Sequence, residues 1–369
     1  MVDEGEEHIT KEPPPPVEVQ ERGEIFFFYR PKVNQESPQS IDDVQRMYIV
    51  LRPISGEKKV EEKQSSDSGK EAKFKNRREL ENVEGSHCNA GEQMEQATAE
   101  EQTIETGKRT TRPSDVDDQI ESKKMKAGRG AEQDDKANAG GHGTEKVQLS
   151  KNTLLRLIVI GRKSLPDPSK RSRPFWGFVE LVSTDPDDLK QALSSEEYET
   201  KTKGNRTRPG SRPVGEGVYG IIRHKKGKQM HTHLVYKLEL PGPDKNHVAQ
   251  EALNVEPQAS YLIQVKNPQH GAPPSAGLQN RRKAEFPKHL FEKFGSYRFV
   301  AADPPDLLNY EGCEFILISA SDDIEEELGM ELDAKDVGHP ECSDLLSIFT
   351  DFEKDVKAPI LPLIEGEWA

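Results

Sequence analysis

EIFFFYR (Glu24–Arg30) and QRMYIVLR (Gln45–Arg52) decide how this chain folds. Both are dense in aromatic and β-branched residues, and each stops at a proline, Pro31 and Pro53, as strands do. Two strands alone are not stable in water, so this pair must join strands further along the chain. The partners return only after a long interval. The chain has 13 Phe, 8 Tyr and 2 Trp, yet Phe74 is the only aromatic residue between Ser55 and Ser150. Beyond it, LLRLIVI (154–160) reads as a buried strand and FWGFVELV (175–182) as another. Val218–Arg223 and HLVYKLEL (233–240) read as a hairpin around Lys225–Lys228, and Tyr261–Lys266 and FILIS (315–319) as further strands. Pro186–Leu193 and Phe286–Phe294 carry helical spacing.

The expected fold is therefore α+β, strand-dominated and largely antiparallel: a single domain split by a long disordered insertion. Regular βαβ alternation is absent, which argues against a doubly wound sheet. Residues 1–21 read as a polar tail with a stiff Pro13–Pro16 spacer, 22–53 plus 150–321 as the folded domain, 54–149 as the insertion and 322–369 as an acidic tail. Composition agrees. Over 369 residues only 32% are hydrophobic, 32% are charged and mean hydropathy is −0.84. A fully globular chain is nearer half apolar, and segments too polar to bury a core stay disordered.

The phrases RGEIFFFYRPKV (22–33), DDVQRMYIVLRP (42–53), GRKSLPDPSK (161–170), FWGFVELV (175–182), HTHLVYKLELP (231–241) and ADPPDLLNYEGCEFILISASDD (302–323) resemble those of a family of uncharacterised, plant-type proteins. The similarity spans both folded pieces and skips the insertion. It implies one shared organisation and brings no reaction, ligand or catalytic residue with it.

No apolar run is long enough to span a bilayer, and MVDEGEEHITKEPPPP lacks the features of a secretion or transit signal. Cys88, Cys313 and Cys342 have no metal spacing, and Cys313 reads as a small core residue. A reducing compartment is expected, nuclear and/or cytoplasmic. The nuclear expectation rests on Lys108, Arg109 and Arg112 followed by Lys123, Lys124 and Lys126, the spacing of a bipartite import signal in an extended chain.

The net charge of −14 is segregated: −9 over residues 1–150, +9 over 151–310 and −14 over 311–369. The basic block gathers in four loops: Arg162, Lys163, Lys170, Arg171 and Arg173; Lys201, Lys203, Arg206 and Arg208; Arg223, Lys225, Lys226 and Lys228; and Arg281, Arg282 and Lys283. Converging, they would track phosphates, with Phe175 and Trp176 placed to stack bases. Scattered, they are solvated loops around a core strand.

Gly215–Gly220 matches G-x-G-x-x-G, but a Rossmann site needs a strand before it and a helix after, and here Ser211-Arg212-Pro213 precedes and a strand follows. A glycine turn is expected instead. His224, His231 and His233 are the one local histidine cluster, and positions 231 and 233 share a strand face. A zinc site wants three or four ligands, and Asp303 or Asp306 would have to complete it. The acidic-aliphatic tail has Ile324, Leu328 and Leu332 at helical spacing, then SDLLSIFTDFEKD (343–355), fit either to dock on the core or to engage a partner groove.

Together these readings give a non-enzymatic intracellular binding module with no catalytic residue, cofactor or metal assigned. Its expected ligand is nucleic acid or another acidic surface, with regulation by acidic arms. The alternatives are a protein-protein scaffold acting through the sheet and the acidic tail, and a metal-dependent hydrolase around His224, His231 and His233.

Overall fold

The computed structural model describes residues 17–66, 143–170, 173–200, 202, 204–226, 229–271, 283–330, 332 and 360–368, all in one unit of the chain. The main sheet is antiparallel throughout. Its strands are β1 (Val17–Pro31), β2 (Val44–Pro53), β5 (Leu155–Ile160), β6 (Phe175–Ser183), β9 (Arg212–Lys226), β10 (Gln229–Leu240), β11 (Gln258–Lys266), β12 (Phe299–Ala301) and β13 (Glu314–Ser321). Their order is β10-β9-β1-β2-β5-β6-β13-β11-β12, and β10 also pairs with β11. That extra pairing closes eight strands into a barrel and leaves β12 as an appendage on β11. The strand-dominated antiparallel sheet is as expected; the closure was not anticipated.

Alternation fixes the inside. Ile25, Phe27 and Tyr29 of β1 point inward with Met47, Ile49 and Leu51 of β2, Ile158 and Ile160 of β5, Tyr219 and Ile221 of β9, Tyr236, Tyr261 and Phe315. An eight-stranded barrel is just wide enough for side chains to fill, and this one is filled by rings. Phe27 and Tyr236 lie 4.8 Å apart between centroids.

Two outer patches are covered. Helix α1 (Pro186–Leu193) lays Leu189 and Leu193 over Phe26, Phe28, Val50 and Leu157. It starts where expected, capped by Asp185 with proline in the first turn. After β13, helix α4 (Ile324–Leu328) places Ile324 and Leu328, followed by Leu332, over Val218, Ile222 and Val235. Asp323 caps its start and Gly329, in the left-handed region at φ 66°, ends it. Between β10 and β11 lies α2 (Val248–Leu253); α3 (Lys288–Phe291) runs on as a 3-10 turn to Phe294 and so realises the helix expected over 286–294.

Three boundaries differ from expectation. β1 begins at Val17, because Val17–Glu21 pair with β9, so the first tail ends earlier than residue 21. Within the span expected to be insertion, β3 (Val60–Gln64) pairs with β4 (Thr144–Gln148), a ribbon hidden in the sequence because the residues β3 buries, Glu61, Lys63 and Gln64, are themselves polar. The acidic tail contributes α4 and a last described stretch containing α5 (Leu361–Ile364). A small hairpin, β7 (Glu196–Thr200) with β8 (Gly204–Arg208), was also missed, being too polar to read as strand. The Gly215–Gly220 motif is not a turn: β9 runs straight through it. A Cβ on Gly217 would stand 2.1 Å from the Lys237 carbonyl oxygen, so the glycine is there for close strand approach beside a β-bulge.

Candidate functional site: the polar layer at one end of the barrel

The barrel interior turns from apolar to charged at the end where β1 begins. Arg156 lies inside LLRLIVI, and cross-strand register puts it opposite Leu51, facing inward. Its guanidinium is fully buried and every arm is used. One arm donates to Glu21 Oε1 at 2.6 Å; another donates to Glu21 Oε2 at 2.9 Å and Glu61 Oε2 at 2.8 Å; Nε donates to Asn309 Oδ1 at 2.6 Å. Tyr219 donates its hydroxyl to Glu21 Oε1 at 2.6 Å, and Asn309 Nδ2 donates to Glu61 Oε2 at 2.6 Å. The cation on β5 thus gathers β1, β3 and the 3-10 turn Pro305–Asn309 directly, and β9 through Tyr219 and Glu21.

Two carboxylates against one arginine leave one negative charge too many for a dry site. The pair resolves this by dividing its protons. Burial would raise Glu21, but the Arg156 charge and its two hydrogen bonds outweigh it and hold that carboxyl below its ordinary value. Burial, then repulsion from Glu21, pushes Glu61 up to about 8 against the pull of Arg156 and Lys58. At neutral pH Glu61 is a neutral acid, Glu21 an anion and the buried layer neutral overall.

The same layer fastens the β3–β4 ribbon. Asp306 Oδ1 accepts from the Glu62 amide at 2.7 Å, and Lys58 pairs with Asp306. Tyr310 donates to Glu62 Oε1 at 3.0 Å, and the Glu311 amide donates to Gln64 Oε1 at 2.9 Å. At the ribbon tip the Ser65 amide donates to the Gly143 carbonyl at 2.8 Å, so the two ends of the interval 67–142 are held side by side. Sequence reasoning missed this site because Glu21 fell in the presumed tail and Glu61 in the presumed insertion. The one legible signal was an arginine inside an apolar strand, which a buried charge must match with partners.

The histidines take another place. His224 and His233 are buried on the outer face of the sheet, ring centroids 5.4 Å apart. His231 sits in register opposite His224. His233 Nδ1 lies 3.0 Å from Ser260 Oγ and 3.8 Å from Glu327 Oε1 of α4. A nucleophilic relay needs the hydroxyl and the acid on opposite ring nitrogens; here both lie on the Nδ1 side, the acid beyond hydrogen-bond distance. Asp303 is taken by Arg223, whose Nε and Nη2 donate to its two oxygens at 2.8 and 2.7 Å from the opposite face of β9. Among the described residues no three of His, Cys, Asp or Glu converge as a metal-ligand set. Cys313 is buried in the core.

The basic loops separate. The β5–β6 loop and the β7–β8 hairpin lie at the end where β1 stops, the β9–β10 turn at the end where β1 starts. Lys163 donates to the carbonyls of Ile41 and Asp42 at 3.4 and 3.2 Å, Arg162 stacks 4.9 Å over Phe175, and Lys170 pairs with Asp167 at 2.6 Å. Arg208 pairs with Glu196 at 2.7 Å, and Arg223 also reaches Glu18 at 2.8 Å. Arg173 and Lys225 are exposed; Arg206 and Lys283 are half-buried. Arg171, Lys201, Lys203, Lys228, Arg281 and Arg282, the side chain of Lys226, the import-signal residues Lys108, Arg109, Arg112, Lys123, Lys124 and Lys126, and segments 13–16 and 343–355 lie outside the described residues. Among the described residues no helix is long and apolar enough to cross a membrane. No family model, curated protein or solved structure matches this chain.

Proposed function

We propose that the protein is a non-enzymatic binding module whose partners are protein segments recognised on the outside of a filled barrel. One observation carries this reading: the barrel wall already receives two short acidic-aliphatic segments of its own chain. Ile324, Leu328 and Leu332 cover β9 and β10, and residues 361–368 sit against β9 and α2. The interior supports it, since its rings and its arginine layer are consumed in holding the barrel and the ribbon together. A polyanion ligand is the second reading, favoured by the four described basic residues Arg162, Lys163, Lys170 and Arg173 gathered in the β5–β6 loop. Against it, most described basic side chains already serve internal partners, and the loops divide between the two ends.

The deciding experiment is fluorescence anisotropy of labelled single- and double-stranded DNA and RNA with the full chain at about 50 and 200 mM salt. The protein-segment reading expects weak binding at both. Tight binding that drops by orders of magnitude between them would overturn it in favour of the polyanion. Crosslinking with partner proteins is expected to map onto Lys237 and Lys245, beside the two occupied patches.

A further inference from the structure

The last described stretch, Ile360–Trp368, lies in a groove at the end of the barrel where β1 stops. Its walls are Tyr29 of β1, Val214 of β9, and Asn246, Ala249 and Gln250 leading into and along α2. The fit is specific at each step. Leu363 is buried, in the turn opened by Pro362. Gln250, 1% exposed, donates its amide to the carbonyls of Pro362 and Val214, at 2.7 Å each. The Ala249 amide donates to the Gly366 carbonyl at 3.1 Å. Gly366 has φ +72°, and a Cβ there would stand 1.5 Å from the Asn246 carbonyl oxygen, so this position admits only glycine. Lys245 pairs with Glu365 at 2.9 Å, Asn246 donates to Glu367 at 2.9 Å, and Trp368 stands edge-on to Tyr29 with centroids 5.3 Å apart.

One group in the groove is left over. The Gln250 side-chain oxygen Oε1 is buried and has no hydrogen-bond partner among the described residues. It lies 3.2 Å from where a Gly366 Cβ would be. Pro362, the residue bonded to that same side chain, has no N–H with which to answer it. An occupant that brings a donor to this oxygen, with the same backbone course, gains on the order of tenfold in affinity. The resident segment is therefore a good fit and not the best one. Residues 333–359, the only covalent link from α4 and Leu332 to this stretch, reach on the order of 90 Å when extended, so release does not strain the barrel.

We propose that the groove is a peptide-recognition site, held in the resting chain by its own residues 361–368. It exchanges them for a partner peptide of the same chemistry: aliphatic-Pro-aliphatic, then acid, glycine, acid and aromatic, with a donor facing Gln250. This rests on the protein-segment reading above and names its site and its ligand class. A tethered occupant competes at an effective concentration near the millimolar range, so the resting chain is self-inhibited.

The test uses a fluorescent peptide of residues 358–369 and three forms of the full chain. In Gly366→Ala the backbone clash expels the resident segment; in Gly366→Ala with Gln250→Ala the groove also loses its anchor; the third form is unaltered. The peptide is expected to saturate Gly366→Ala at least tenfold more tightly than the unaltered chain, and the double variant to lose that gain. A peptide carrying Gly366→Ala itself is expected to bind at least tenfold more weakly. Circular dichroism and a cooperative melt confirm that each form is folded. Absence of saturable binding to folded Gly366→Ala overturns the proposal, as does equal binding to Gly366→Ala and the unaltered chain. A concentration-dependent dimer of the unaltered chain in light scattering, abolished by Gly366→Ala, places a second copy in the groove and overturns the partner reading. Failure here with weak, salt-insensitive nucleic-acid binding removes the groove and leaves the scaffold reading standing; salt-steep nucleic-acid binding removes the scaffold reading itself.

Discussion

Arg156 shows how one residue holds a fold together without being its strongest interaction. A buried ion pair gains little over a well-packed apolar pair, because desolvation offsets the attraction. Losing one partner is different, since it strands the other charge. Arg156→Met is expected to destabilise the protein by about 3–5 kcal/mol by leaving Glu21 buried and ionised. Adding Glu21→Gln should restore a large part of that loss, and urea unfolding of the two singles and the double gives the coupling directly. Purely additive effects would mean the two groups do not depend on each other. Glu61 makes the second prediction at this scale. Its folded pKa is raised to about 8 while the unfolded group titrates near 4.5. Between those values the native state binds the extra proton, so this group's contribution to stability falls as pH rises and is fully lost above about 8. The groups around it are Glu21 on β1, Arg156 on β5, Tyr219 on β9, Asn309 on the 3-10 turn, and Lys58, 3.6 Å from Glu61 on the same segment. Glu61→Gln keeps the shape and removes the titration. The melting temperatures of variant and native chain should match near pH 4.5, then diverge in the variant's favour up to pH 8–9. Parallel curves would place Glu61 at an ordinary carboxylate value.

Among the elements, β9 is the strand on which closure depends. It pairs with β1 on one side and β10 on the other, and register shifts in both partners let it bend around the barrel. Gly217 lies where the β10 backbone comes closest. Gly217→Ala is expected to destabilise by about 3 kcal/mol by driving Lys237 and Leu238 away, a loss read as a lower urea midpoint. An unchanged midpoint would show that the two strands can part locally without disturbing the barrel. The contrast between legible and illegible elements has the same physical root. EIFFFYR, QRMYIVLR, LLRLIVI, FWGFVELV, HLVYKLEL and FILIS were readable because strands buried on one or both faces need aromatic and branched residues. β3 and β4 pack on the barrel end mainly through polar residues, Glu61, Lys63 and Gln64, and β7 and β8 form a polar hairpin of their own, so none of the four carries an apolar alternation. The glycines of β9 looked like a turn because propensity sees a missing side chain and not the neighbouring backbone that requires it. The arginine layer is a meeting of residues 21, 61, 156, 219 and 309, and nothing local in any of them announces the others.

For the molecule as a whole, the path of the chain explains how so long an interval interrupts a closed barrel. β1 and β2 lie before residues 67–142, and the other six barrel strands lie after, yet β2 and β5 are neighbours in the sheet. The gap is bridged by the β3–β4 ribbon, and the arginine layer locks that ribbon to the barrel end. Loop closure entropy grows only logarithmically with length, so a clamp of this kind can hold a long interval at modest cost. The Ser65–Gly143 hydrogen bond marks where a short turn would fit. Replacing residues 66–142 by Asn-Gly, the pair that two-residue hairpins favour, should give a chain that folds and melts cooperatively. Closing two residues in place of the whole interval should add about 2–3 kcal/mol of stability, read as a higher urea midpoint with little change in the pH response set by Glu61. A barrel that loses cooperativity after this replacement would mean that residues 66–142 supply contacts of their own. A gain in stability with the Glu61 response intact would show that barrel and ribbon form a self-sufficient scaffold, from which the interval can be exchanged without disturbing the groove at the other end.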